Sequence, residues 1–289
     1  MYKQNDCKKE IILSVIIPHY NCPKLLKRLL ESIPKSENIE VVIVDDNSNK
    51  GVYELEMCRQ VFESENIIFK KNDMGNKGAG AARNVGLRYA TGKWLAFMDA
   101  DDYVIGNMLQ IVDEIKERSE DIIFFRPTSI NTSNGKTGKR HLRYVRLVEE
   151  YARNPSYKNE ISLKFNYYTP WSKFIKRNLI ENKQIKFSET LYSNDIMFST
   201  KCAYFAQNIG ISDGIFYCIT ENAFGLTKEM NDQSIYIRNE VTYERFCFLM
   251  RHIPIKYWKN VELNFKDILL VWGYHYHIVQ FANKCLKRG

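Results

Sequence analysis

The first 126 residues alternate short apolar runs with amphipathic segments, and this alternation constrains the fold more than any other feature of the chain. The runs predicted to be strands are 11–17, 39–44, 67–69, 94–98 and 122–125. The segments predicted to be helices are 23–33, 52–62, 79–90 and 108–115. Strands that are near-continuous apolar runs are buried on both faces, so the pattern predicts an α/β fold with a mostly parallel sheet covered by helices.

Beyond Arg126 the pattern changes. Residues 127–139 are rich in Thr, Ser, Asn and Gly, which predicts a long loop. The stretch that follows, to about residue 230, is aromatic-rich and less regular, and a helical pattern returns from Ser234. We therefore predict an α/β half at 1–126, a second half of the same domain at 127–230 and a helical C-terminal extension at 231–289.

The composition argues against several classes of protein. Of the 289 residues, 45% are hydrophobic, and no apolar run approaches the roughly 20 residues of a membrane-spanning helix. Residues 1–10 are polar and lack the pattern of a secretory signal, so we expect none. The seven cysteines include no C-x-x-C pair, which argues against a disulfide framework or structural zinc and fits a reduced cytosol.

A net charge of +8 points to an acidic partner, which could be nucleic acid, an anionic membrane surface or a phosphorylated substrate. The excess charge is concentrated in two stretches, namely Lys136, Lys139, Arg140, Arg143 and Arg146, and then Lys284, Lys287 and Arg288. A run of charge is more often only a solvated face, and the sequence leaves that alternative open.

Three polar clusters follow predicted strands, at residues 18–21, 45–48 and 99–102. Ligands of doubly wound sheets bind outside the carboxyl ends of the strands, so the three clusters are expected to converge on one site. In the third cluster, Asp99, Asp101 and Asp102 would repel one another unless a cation compensates them. Mg²⁺ typically takes one or two carboxylates plus substrate phosphates. The alternative is an ordinary acidic turn after a strand.

The first two clusters carry groups that suit a nucleotide base. Tyr20 offers a flat face for stacking, worth on the order of 1–3 kcal/mol, and Asp46 could accept the ring N–H of a pyrimidine. The alternatives are a tyrosine that caps the sheet core and an aspartate that forms a turn or a helix N-cap.

The segment 77–84 resembles a phosphate-binding glycine loop but contains neither G-x-G-x-x-G nor a Walker motif, and it follows the third strand rather than the first. This disfavours a nicotinamide cofactor or a P-loop. What remains is a helix N-terminus with close backbone access, suited to anions, with Arg83 in its first turns. A structural salt bridge is an equal alternative for Arg83.

Four motifs, in this order and spacing, resemble the family 2 glycosyltransferases with the GT-A fold. They are Ser14-Val-Ile-Ile-Pro-His-Tyr-Asn21, Val44-Asp-Asp-Asn-Ser48, Gly80-Ala-Ala-Arg-Asn-Val-Gly86 and Phe97-Met-Asp-Ala-Asp-Asp102. This likeness covers about residues 11 to 126. A looser one, through 171–174, 185–187 and 193–198, extends it to about 200. The resemblance implies a nucleotide-sugar donor, a divalent metal (Mn²⁺ or Mg²⁺) and inversion at the anomeric carbon.

The resemblance also implies roles for individual residues. Those it places at the nucleotide-sugar are Pro18, Tyr20, Asp46, Arg83, Asp99, Ala100 and Asp101, with Tyr20 and Asp46 at the uracil and with Asp99 and Asp101 serving ribose and metal. Asp195 matches the general base of the family, and the alternative for it is a helix-capping carboxylate.

Two positions depart from the family pattern. Asn194 stands where a Glu is common, which removes a charge beside Asp195, and His19 stands where a small or aliphatic residue is usual and receives no role. We place Asn194 and Trp171 on the acceptor side, and a core position is an equal alternative for Trp171.

The function predicted from these residues is transfer of a hexose from a nucleotide-sugar, with UDP expected, to a hydroxyl of a glycan or lipid-linked oligosaccharide in cell-surface polysaccharide synthesis. We expect no nucleic-acid partner and a cytoplasmic location. The aromatic and basic segment 258–288 suits the anionic inner face of the membrane, and packing on a partner or in a helical core is the alternative. A non-catalytic nucleotide- or polyanion-binding protein is the alternative. A sugar-nucleotide-forming nucleotidyltransferase is disfavoured, because its glycine-rich loop would follow the first strand.

Overall fold

The computed structural model describes residues 10–73, 75–221, 231–263 and Gly273. The strands are β1 (Leu13–His19), β2 (Ile39–Asp45), β3 (Ile67–Lys71), β4 (Trp94–Phe97), β5 (Tyr103–Val104), β6 (Ile122–Phe124), β7 (Thr128–Asn131), β8 (Lys173–Lys176), β9 (Ile209–Ile211) and β10 (Tyr217–Glu221). The helices are α1 (Pro23–Ser32), α2 (Val52–Phe62), α3 (Ala79–Tyr89), α4 (Met108–Ile115), α5 (Leu142–Arg153), α6 (Tyr157–Asn166), α7 (Arg177–Asn182), α8 (Ile196–Phe205) and α9 (Asp232–His252). A 3-10 helix covers Ile255–Val261.

A seven-stranded sheet in the order β3-β2-β1-β4-β8-β6-β9 forms the centre of the fold. Strands β1 to β4 run parallel, with Ile16 opposite Val42 on one side and Phe97 on the other. Every residue of β1 and β4 is buried, as expected for strands covered by helices on both faces. The predicted α/β fold with a mostly parallel sheet is confirmed, and the predicted bounds of α2 and α4 match the structure.

Strand β8, which we did not predict, lies antiparallel between β4 and β6. It begins and ends with lysine, so its sequence does not read as a buried strand. The Lys173 ammonium is nevertheless fully enclosed, where it donates to the Tyr167 backbone oxygen at 2.8 Å and faces the rings of Phe124 and Tyr167. Residues from the second half of the chain thus complete the sheet built by the first half.

The prediction of a long loop at 127–139 is wrong in part, because the loop contains β7. This strand pairs parallel with β10, which pairs antiparallel with β5, so the three make a second small sheet. The Ser, Thr and Asn content of β7 argues against a strand, but pairing with a buried neighbour overrides that preference. The stretch from 140 to 230, predicted to be less regular, contains helices α5 to α8.

The helical pattern predicted from Ser234 is confirmed by α9, which begins with a capping box between Asn231 and Ser234. Its residues Phe246 and Leu249 join a second hydrophobic cluster with Ile161 and Phe165 of α6. Most of the segment 258–288, including its terminal basic residues, lies outside the described residues. In the part of the chain that is described, none of the helices is both long and apolar enough to cross a membrane.

Candidate active site

The three predicted polar clusters meet at the carboxyl edge of the parallel strands. His19 at the end of β1 lies opposite Asp45 at the end of β2, and Asp46 donates its backbone N–H to the His19 carbonyl at 2.8 Å. Strand β4 runs alongside β1 and delivers Asp99 to the same edge. The expected convergence of the first, second and third clusters is therefore what the register of the sheet produces.

His19 joins the first two clusters, a role that sequence reasoning missed. Its imidazole is buried, with Nδ1 2.9 Å from Asp45 Oδ1, and Nε2 accepts the Cys22 backbone N–H at 3.3 Å. Ser48 Oγ donates to the same Asp45 oxygen at 2.5 Å. A neutral imidazole with its proton on Nδ1 satisfies both of its contacts. Although burial raises the pKa of Asp45, the hydrogen bonds from His19 and Ser48 lower it below its usual value.

Replacing His19 by Val, an apolar residue of the type usual in the family, is expected to destabilise the fold. The substitution leaves the buried side of Asp45 without one of its donors, and a lost hydrogen bond to a charged group costs about 2 kcal/mol. Chemical denaturation should show this loss of unfolding free energy in His19→Val, with Lys35→Ala as a control at an exposed position. An unchanged denaturation midpoint would contradict a linking role for His19.

Asp46 is buried and fixes the loop that follows β2. Its Oδ1 accepts the Asn72 side-chain amide at 2.6 Å, and its Oδ2 accepts the Gly78 backbone N–H at 2.7 Å. A carboxylate oxygen can accept more than one hydrogen bond, so Asp46 keeps capacity for a ligand N–H. Gly51, not Asp46, occupies the N-cap of α2, so the helix-cap alternative does not apply. Tyr20 nearby is 52% exposed, which leaves its ring accessible for stacking.

The glycines of segment 77–84 have a packing role, which corrects our expectation of an open anion-binding helix N-terminus. The Gly78 N–H is already used by Asp46, and Gly78 has φ +111°. A Cβ on Gly80 would lie 2.1 Å from the Ser188 carbonyl oxygen and 2.9 Å from Asn194 Cβ. Glycine is therefore needed so that the chain around 188–194 can pack directly on the start of α3.

Arg83 connects the acidic cluster to the residue beside Asp195. Its guanidinium is buried, with Nη1 donating to Asn194 Oδ1 at 2.8 Å and Nη2 donating to Asp99 Oδ1 at 2.6 Å. It also lies 5.3 Å from the ring centroid of Phe187. The salt-bridge alternative for Arg83 is thus what the structure shows, and the salt bridge brings two predicted site motifs into one network.

The acidic cluster divides into two parts that the sequence does not distinguish. Asp102 is buried, where it accepts the Tyr217 hydroxyl at 2.5 Å and the Thr220 N–H at 2.7 Å, so it anchors β10. Asp99 and Asp101 are partly exposed at the edge of the sheet. Burial, and then the charge of Asp99, raises the pKa of Asp101, and the same causes raise that of Asp102 further.

The repulsion between the Asp99 and Asp101 carboxylates makes this pair suitable for a divalent cation. Among the described residues, no group of three or more His, Cys, Asp or Glu side chains is arranged to enclose a metal. A pair of mutually repelling carboxylates instead fits an ion such as Mg²⁺, which completes its shell with water and substrate phosphates. Asp99 keeps one carboxylate oxygen beyond the one that contacts Arg83.

Asp195 occupies the N-cap position of α8 but does not cap the helix. Its side chain accepts no cap hydrogen bond, so the capping alternative does not describe this carboxylate. Burial raises the pKa of Asp195, and the charge of Asp99 acts in the same direction, whereas Arg83 and Lys173 lower it in part. An uncapped carboxylate with a raised pKa has the properties of a general base.

The two residues predicted on the acceptor side are both buried, and their placement there stays a prediction. Trp171 is 2% exposed and stacks on Tyr217 with ring centroids 5.9 Å apart, so the core alternative applies. Asn194 is buried, with its Oδ1 bound by Arg83 and its Nδ2 3.4 Å from the Thr190 oxygen. Pro18 and Ala100 are also buried. Any contact of these four residues with a ligand would be made by their backbone or by a small exposed part of the side chain.

The sequence pattern of Glycosyl transferase family 2 matches residues 14–182 of this chain. The Glycosyltransferase GlyG of Streptococcus pneumoniae is 30% identical over 129 residues, which are 43% of this chain and 42% of GlyG. The poly(ribitol-phosphate) beta-N-acetylglucosaminyltransferase TarS of Staphylococcus aureus is 26% identical over 250 residues, which are 84% of this chain and 40% of TarS. The matched segments span about two fifths of the length of these relatives.

Solved structures show the same fold. The crystal structure of TarS residues 1–349 in complex with UDP-GlcNAc has a TM-score of 0.67 at 22% identity and covers 87% of this chain and 71% of that one. The mannosyltransferase PcManGT from Pyrobaculum calidifontis, in complex with GDP-Man and Mn²⁺, has a TM-score of 0.55 at 16% identity and covers 88% of this chain and 68% of that one. The predicted GT-A type of α/β fold is confirmed at this level.

Proposed function

This chain belongs to glycosyl transferase family 2, and we propose that it is a metal-dependent, inverting glycosyltransferase that moves a hexose from a UDP-sugar to an acceptor hydroxyl. The observation that carries the proposal is the bridge made by Arg83. Its guanidinium ties Asp99, on the donor side, to Asn194, the neighbour of the candidate base Asp195. A base and a donor site must be adjacent for a single displacement, and the bridge from Asp99 to the neighbour of Asp195 supports that arrangement.

The donor side would bind the nucleotide through the ends of β1, β2 and β4. We assign the uracil to Tyr20 and Asp46, with Pro18 beneath the loop that carries Tyr20. Asp99, Ala100 and Asp101 would hold the ribose and the metal. Mn²⁺ or Mg²⁺ bound there supplies positive charge that stabilises the departing diphosphate. The UDP-GlcNAc bound by TarS supports the choice of UDP, and the Mn²⁺ bound by PcManGT supports the metal.

Asp195 would then remove the proton from the acceptor hydroxyl as its oxygen attacks the anomeric carbon. The attack comes from the face opposite to the departing diphosphate, so one displacement inverts the configuration. The carboxylate is suited to this step because no helix N–H occupies it and burial has raised its pKa. Positioned general bases contribute roughly 10²–10⁴-fold to a rate.

We propose that the acceptor is a glycan or lipid-linked oligosaccharide of a cell-surface polysaccharide, on the support of relatives such as the poly(ribitol-phosphate)-modifying TarS. In this proposal the segments 1–126 and 127–230 form the donor and acceptor halves of one domain. The extension 231–289 would make any contact with the inner face of the membrane. The protein would work in the cytoplasm without a nucleic-acid partner.

A donor screen tests the proposal. We expect hydrolysis or transfer with one of UDP-glucose, UDP-galactose and their N-acetyl forms in the presence of Mn²⁺. Chelation by EDTA should abolish the turnover, because Asp99 and Asp101 alone repel a diphosphate, and added Mn²⁺ should restore it. The non-catalytic alternative predicts no turnover with any sugar nucleotide, and steeply salt-dependent binding to polyanions instead.

A further inference from the structure

The proposed function assigns no role to the basic stretch between Lys136 and Arg146. Arg143 pairs with Glu262 at 2.5 Å, and Arg146 lies 3.7 Å from Glu150 within its own helix, so these two charges are structural. Arg140 differs from both. Its side chain is exposed, and among the described residues it has no hydrogen-bond or ion-pair partner for its guanidinium.

Hydrogen bonds to the Glu221 side chain fix the backbone at Arg140. The Glu221 carboxylate, at the end of β10, accepts the backbone N–H groups of Lys139 and Arg140, each at 2.6 Å, and the Ser129 hydroxyl at 2.8 Å. Gly138 packs so closely that a Cβ on it would lie 2.1 Å from Glu221 Oε1. The segment 138–140 is therefore held at a defined place beside the small sheet.

That place adjoins the acidic cluster. Thr220, the residue before Glu221, donates its hydroxyl to the Asp101 backbone oxygen at 2.7 Å and its N–H to Asp102 at 2.7 Å. Thr220 thus hydrogen-bonds to the acidic cluster, and the next residue of β10 hydrogen-bonds to the segment 138–140.

We propose that Arg140 contacts the diphosphate of the donor and balances the charge that develops on it as the sugar departs. The inference rests on the proposed function, since it uses the same donor site. An exposed guanidinium whose backbone is fixed next to the acidic cluster can form paired, charge-assisted hydrogen bonds with phosphate oxygens. Lys139 carries the same charge one residue away but lacks the planar donor pair of a guanidinium.

Calorimetric titration of the full chain with UDP and with uridine, in the presence of Mn²⁺, tests the inference. Arg140→Gln should weaken UDP binding about tenfold and leave uridine binding unchanged, because uridine lacks the diphosphate. Lys139→Gln removes the same charge from the adjacent residue and should stay within about twofold of wild type. Arg140→Lys should recover part of the lost affinity, since it keeps the charge without the planar donor pair.

Two results would overturn the inference while the proposed function stands. In one, Arg140→Gln binds UDP as tightly as Lys139→Gln does. In the other, Arg140→Gln loses uridine and UDP affinity equally, which would mean that the segment 138–140 supports the nucleoside pocket and does not contact the diphosphate. A wild-type chain that binds neither UDP nor any UDP-sugar would overturn the proposed function and the inference together.

Discussion

Replacement of Asp195 by Asn is expected to reduce sugar transfer by roughly 10²–10⁴-fold while UDP binding remains at the wild-type level. Asparagine keeps the size of the side chain but cannot take a proton from the acceptor hydroxyl. The carboxylate forms no helix-cap hydrogen bond, and the amide oxygen of asparagine can still accept the backbone N–H of residue 195, so the fold should tolerate the change. Initial rates of transfer and UDP titration measure the two effects separately.

Asp213→Asn is the matched control, because it makes the same chemical change at a carboxylate whose side chain is 96% exposed and pairs with Arg126. It should leave transfer unchanged. In the wild type, transfer should rise with pH through a pKa above the usual range of an aspartate, because the base works only when deprotonated and burial raises the pKa of Asp195. Undiminished transfer by Asp195→Asn would remove this residue from the mechanism.

Replacement of Arg83 by Met is expected to have the largest effect on stability. Methionine keeps the apolar stem against Phe187 but removes the cation that binds Asp99 and Asn194. Loss of the two hydrogen bonds that this buried cation donates to Asp99 and Asn194 is expected to cost about 3 kcal/mol, since a hydrogen bond to a charged group contributes about 1.5–3 kcal/mol. The same loss should move the acidic limb of the transfer–pH profile to higher pH, since Arg83 lowers the pKa of Asp195.

Arg88→Met serves as the control for this variant. Arg88 lies on the same helix and forms an ion pair with Asp73, but both side chains are about half exposed, so the change should cost well under 1 kcal/mol. Urea denaturation of the two variants gives the comparison. Equal unfolding free energies for Arg83→Met and Arg88→Met would show that the bridge between the two halves of the site is not an important contact.

The part of the fold that could be predicted is the part in which local sequence composition alone determines burial. Strands such as 94–97 are apolar throughout, and their burial on both faces follows from that alone. The convergence of Tyr20, Asp46 and Asp99 also followed, because the carboxyl ends of parallel strands share one edge. These inferences needed only local composition and the geometry of a parallel sheet.

The features that were missed depend on contacts between distant residues. Lys173 reads as a surface residue, and only its enclosure by Phe124 and Tyr167 makes β8 an interior strand. The absence of a side chain at Gly80 suggested close backbone access for an anion, whereas it makes room for the backbone of Ser188, more than 100 residues later in the chain. His19 offered one available signal, since a histidine at the end of an apolar strand opposite an aspartate indicates a buried hydrogen bond.

If the ends of β1, β2 and β4 bind a uridine diphosphate through a cation, both should be visible in a crystal of the protein soaked with UDP and Mn²⁺, with data collected at the manganese absorption edge. We expect an anomalous peak at Asp101, next to the diphosphate, with the uracil on the ring of Tyr20 and hydrogen-bonded to Asp46. Manganese absent from Asp101, with the nucleotide bound elsewhere on the protein, would contradict it.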